Sequence, residues 1–61
     1  MDLKSWMVAQ GITIREFALL TGRTEVTVAR WRAKQHLPDR EGMRKIREVT
    51  NGAVTANDFY D

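Results

Sequence analysis

The sequence predicts an all-α fold: four short helices and a terminal turn in one small domain, residues 1–61. Three observations carry this. Apolar residues recur three and four apart rather than alternately. A capping residue (Asp2, Thr13, Thr24 or Asp39) precedes each periodic stretch. Glycine or Asn-Gly follows several of them, and no stretch reads as a strand of convincing length.

The first helix is expected from Asp2, its N-cap, to about Gln10. Leu3, Trp6 and Met7 form its buried stripe, and Gly11 ends it. Ile12 then precedes the Thr13 cap and can staple against Phe17. Thr13 and Glu16 make a T-x-x-E capping box for a second helix over about 14–21. Its inward face holds Phe17, Ala18 and Leu20 or Thr21. Gly22 suits a tight turn that needs positive φ. Thr24 caps a third helix over about 25–34, with Val28 and Trp31 pointing inward. A hinged pair of short helices around a Gly turn is the sequence image of a helix-turn-helix.

After Lys34 the periodicity breaks. Leu37, before Pro38, is pushed to an extended conformation and is expected to plug the core under this loop. Asp39 caps a fourth helix, from about Arg40 to Thr50, with Met43, Ile46 and Val49/Thr50 as its seam. Asn51-Gly52 stops it. Thr55 and Asp58 form a second, T-x-x-D box for a last short turn. Val54 and Phe59 are expected to close the core, and Tyr60 is left as a solvated end or part of a dimer surface.

The chain holds no Cys and one His, His36, so no disulfide or metal set can be assembled, and no cofactor is expected. No apolar run approaches the ~20 residues that span a membrane. No signal-peptide core precedes the first charges, which favours the cytoplasm. Net charge is only +2 but uneven. Residues 23–47 carry eight bases against three acids, net +5, whereas 48–61 carry three acids and no base. A basic middle suggests a polyanion partner; a solvated charged surface is the plainer account.

A helix in the major groove reads bases with its first turn and the residues one turn on. On the third helix these are Thr24, Glu25, Val26, Ala29 and Arg30. Arg30 is the best base-reading candidate, since a guanidinium binds guanine O6 and N7 bidentately. Glu25 either accepts from a cytosine amino group or merely favours the helix N-terminus. Val26 and the Thr24 methyl can pack on a thymine methyl. Arg15, Arg23, Thr27, Arg32 and Lys34 are candidates for phosphate contacts, joined by the backbone amides of Ile14 to Glu16. Trp6 and Trp31 could stack on bases, but their helical spacing reads as core. No nucleophile, base and orienting group can be assembled, so no enzyme is expected.

Gly22 to Trp31, G-R-T-E-V-T-V-A-R-W, resembles the G-[apolar]-S-x-x-T-V-S-R-W stretch of the Cro/lambda-repressor-like helix-turn-helix family of small phage and bacterial regulators. LKSWMVAQGITIREFA is similar to that family's first helix and the start of its second, and LPDREGMRKIREVTNGAVTANDF to its Cro-like ending. The resemblance covers nearly the whole chain. It implies a compact four-to-five-helix lambda-repressor-like domain. It also implies a repressor-type transcription regulator of a bacterial or phage-infected cell, which binds double-stranded DNA at a pseudo-palindromic operator as a weak homodimer. Ile14, Thr21, Arg23 and Arg32 depart from the pattern, where the family often has Gln, Leu, an apolar residue and Glu. Leu19 or Leu20 is expected to take over the core place that Thr21 leaves. Two other readings remain: an excisionase-type architectural DNA-binding protein, which usually follows the pair with a winged hairpin, and an antitoxin- or anti-repressor-like adaptor that binds protein.

Overall fold

A computed structural model describes residues 1–60. In chain order it contains α1 (Leu3–Gln10), α2 (Ile14–Thr21), α3 (Glu25–Arg32), α4 (Arg40–Val49) and a 3₁₀ turn over Ala56–Phe59, with no strand among the described residues. The all-helical class is therefore as the periodicity predicts.

Local chemistry sets the helix starts. Asp2 accepts the Ser5 N–H at 2.7 Å. In the Thr13 box, Thr13 Oγ1 accepts the Glu16 N–H at 3.1 Å and Glu16 Oε1 accepts the Thr13 N–H at 2.9 Å. Thr24 accepts the Thr27 N–H at 3.2 Å, and Asp39 accepts the Gly42 N–H at 2.7 Å. Each bond satisfies a first-turn amide that the helix itself cannot. These amides hold the Asp2, Glu16 and Asp39 carboxyls below their ordinary carboxylate range, and the Thr55 N–H does the same for Asp58.

The stops are less uniform. Gly22, at φ 71°, lets the Arg23 N–H reach back to the Ala18 carbonyl at 3.0 Å. The end of α3 has the same pattern without glycine. Lys34 itself sits at φ 59°, and the Gln35 N–H reaches the Arg30 carbonyl at 2.9 Å. That left-handed residue terminates α3 at Arg32, two residues before the expected 34. Helix α4 likewise ends at Val49, with Asn51 at φ 55°.

One core joins all the elements: Leu3, Trp6 and Met7 from α1, Phe17 and Ala18 from α2, Val28 and Trp31 from α3, Ile46 from α4, then Val54 and Phe59. The rings of Trp6 and Phe17 meet edge to face at 6.0 Å. Both tryptophans are buried, so neither is a stacking platform. Helix α2 packs most extensively on α3 and also meets α4, while α1 meets α3.

Two expectations about the core fail. Leu19 and Leu20 do not replace Thr21: they are 77% and 54% exposed, and Thr21 is buried. The Thr21 hydroxyl donates to the Phe17 carbonyl at 2.9 Å, which satisfies it without any rotation of the helix. Leu37 is no plug either: it is exposed, while Val54 and Phe59 are buried as expected. Gly42, unremarked in the sequence, is buried where α4 crosses the Trp31 ring.

Candidate nucleic-acid interface

Helix α3 divides by face. Val28 and Trp31 are buried. Glu25, Val26, Ala29 and Arg30 are exposed, as is the Thr24 cap. The spacing of three and four within eight residues makes this division inevitable once Val28 and Trp31 enter the core. The exposed face therefore presents an acid, an apolar group, a small residue and a guanidinium in little more than one turn. Arg30 and Glu25 have no ion-pair partner among the described residues. The Thr24 hydroxyl is engaged locally: it caps Thr27 and donates to Thr27 Oγ1 at 3.0 Å. Only its methyl remains for an outside contact, and Thr27, half-buried, has its own hydroxyl accepting that bond.

The phosphate candidates separate into different environments. Arg15 and Lys34 are exposed. Arg32 is half-buried, and its Nε is enclosed without a hydrogen-bond partner. Arg32 lines a shallow hollow of about 270 Å³ with Lys4, Ile14, Ala29 and Ala33. This hollow brings the start of α2 beside the outer half of α3, and adds Lys4 from α1. Nothing local in the sequence marks Lys4; only the crossing of α1 and α3 brings it there. Ile14 supplies an apolar wall. Among the amides of residues 14–16, that of Glu16 is already taken by Thr13, so it does not join an anion site as expected.

Arg23 behaves differently from the other cations. Its Nη2 donates to Asp39 Oδ1 at 2.9 Å, and its guanidinium carbon lies 5.9 Å from the centre of the Trp31 ring. It thus tethers the α2–α3 turn to the start of α4. A phosphate contact by Arg23 requires it to share or leave this partner. His36 is exposed in the loop after α3.

No helix of the described chain is long and apolar enough to cross a membrane. Set against protein-family models, curated proteins and solved structures, the chain matches none.

Proposed function

We propose that this protein is a sequence-specific DNA-binding transcriptional regulator of Cro/repressor type, without enzymatic activity. In this reading α2 and α3 are a lambda-repressor-like helix-turn-helix, and α3 lies in the major groove. The observation that carries it is the face of α3: Glu25, Val26, Ala29 and Arg30 stand exposed together while Val28 and Trp31 are anchored in the core. A rigidly seated helix with an unpaired guanidinium one turn from its start matches the demands of base reading. Arg15, Arg32 and Lys34 supply phosphate contacts around it, with Lys4 beside Arg32. Two copies bind a pseudo-palindromic operator with half-sites one helical turn apart, and the weak homodimer completes itself on DNA. The compartment that follows is the cytoplasm, at the nucleoid of a bacterial or phage-infected cell.

An excisionase-type protein fits less well, because α4 follows the helix pair where a winged hairpin is usual. The adaptor reading draws on one observation, the exposure of Leu19 and Leu20 on α2. Selection of bound sequences from a random duplex pool separates the two. A palindromic consensus with steeply salt-dependent affinity is expected. No enrichment at all would overturn the regulator.

A further inference from the structure

A groove of about 450 Å³ runs between the loop after α3, the outer side of α4 and the terminal turn. Its floor is apolar. Leu37 and Tyr60 are 52% and 63% exposed along it, and Met43 and Phe59 continue it inward. Its rim is cationic: Arg40, Arg44 and Arg47 stand at intervals of four and three, one stripe of α4. Arg44 is paired with Glu41 at 2.9 Å, whereas no ion pair within the described residues involves Arg40 or Arg47. Among the described residues that line the groove the one acid, Asp39, already accepts from Arg23 and Gly42 through one oxygen. An apolar trough under a positive rim remains. It shares no residue with the exposed face of α3.

We propose that this groove docks an acidic amphipathic peptide segment of another protein. Charge complementarity selects that occupant. A second copy docked face to face would set the same three arginines against each other, and like charges across an interface disfavour it. A nucleic-acid backbone would satisfy the arginines but leave Leu37, Met43 and Tyr60 uncovered. A segment that alternates carboxylates with large apolar side chains satisfies both, in the manner of an amphipathic helix laid in a groove. In the DNA-binding reading, on which this point rests, the groove shares no residue with the base-reading face of α3 and so is open to a partner while DNA is held there.

The test pans the immobilised 61-residue chain against a phage-displayed random peptide library, then measures the enriched peptides by calorimetry. Peptides rich in Asp or Glu interleaved with Leu, Phe or Trp are expected. Their Kd should rise about tenfold in Arg40→Glu/Arg47→Glu and several-fold in Leu37→Ser. Amide shifts should cluster at Leu37, Met43 and Tyr60. Leu37→Ser changes a half-exposed loop residue, so it decides the matter if the charge reversal unfolds α4. The proposal is overturned by no enrichment, by enriched peptides without acids, or by binding indifferent to both variants. A self-association that Leu37→Ser abolishes, or a duplex mapped to this groove, would overturn it too.

Discussion

Arg23 and Asp39 lie 16 residues apart and meet at 2.9 Å, Nη2 to Oδ1. The same oxygen accepts the Gly42 N–H that caps α4. One carboxylate oxygen thus joins the turn before α3 to the start of α4, with the Trp31 ring beneath the guanidinium. Arg23→Ala should lower stability by about 1 kcal/mol through lost contact with Trp31. It should also weaken DNA binding evenly across operator variants, since it loosens the seat of α3 rather than a base contact. Denaturant titration and binding to a set of single-base operator variants check this. A shifted base preference would show that Arg23 reads sequence instead.

Gly42 and Gly22 should both resist alanine, for different reasons. A Cβ at Gly42 would lie 2.9 Å from Asp39 Oδ1 and 3.1 Å from Trp31 Cζ2. Alanine ordinarily stabilises a helix interior by up to about 1 kcal/mol over glycine. Here the crowding should win, with a net cost of about 1–3 kcal/mol and displacement of the cap. At Gly22 no neighbour lies within 4 Å of the added carbon, so the cost is that of φ 71° alone, about 1 kcal/mol. Thermal melts of both variants decide, and a more stable Gly42→Ala would refute the crowding.

The two buried threonines should answer Thr→Val to different degrees. The Thr21 hydroxyl only adds a second donor to the Phe17 carbonyl, which the helix ladder already serves. Thr21→Val should change stability by less than about 0.5–1 kcal/mol. The Thr50 hydroxyl donates to the Ile46 carbonyl at 2.7 Å and accepts the buried Val54 N–H at 3.2 Å. Thr50→Val orphans that amide, at a cost of about 1–3 kcal/mol. Equal urea midpoints for the two variants would contradict this division.

Arg30→Ala should cost about 1–3 kcal/mol in operator binding and relax specificity at one base pair. Arg32→Ala should weaken binding to all sequences and flatten the salt dependence. Fluorescence anisotropy over a salt series reads both. If the double variant binds as tightly as the parent chain, α3 is not docked through this face.

Acid should unfold the protein through its helix caps. Asp2, Glu16, Asp39 and Asp58 all titrate below their ordinary values of 3.8 for Asp and 4.5 for Glu, because backbone amides donate to the ionised forms. A lowered folded-state value gives stability that is fully present above the unfolded value and lost as pH falls through the folded one. The urea midpoint should therefore be flat from neutrality to about pH 5 and fall below about pH 4. A midpoint unchanged at pH 3 would show that the caps are as strong protonated as ionised.

The parts of this fold that were legible in the sequence are those written within four residues: the caps at Asp2, Thr13, Thr24 and Asp39, the turn at Gly22, and the buried stripe of Val28 and Trp31. What stayed hidden depends on crossings between distant segments. Leu20 and Thr21 are equally placed by periodicity, and only the packing of α2 on its neighbours chooses the smaller, polar one. Leu37 reads as a plug from its apolar side chain in the loop before Pro38, and nothing within that loop shows that it stays exposed. Lys4 and Gly42 gain their places from α1 crossing α3 and from α4 crossing Trp31, which no local pattern announces. The exposed set on α3 was readable because it is the complement of a buried stripe. The tie that holds Arg23 was not, because its partner lies beyond a loop.

The capped helix starts also bear on kinetics. Each of the four helices begins at a side chain that bonds an amide three residues on. Such starts need no distant contact to form, so their order of appearance is not tied to the core. The non-local steps are the packing of α1 on α3 and of α2 on α4, and the closing of Val54 and Phe59 into the same core. A helical domain with so few long loops to close should refold within milliseconds or faster, by stopped-flow or temperature jump. Val54→Ala should then speed unfolding far more than it slows folding.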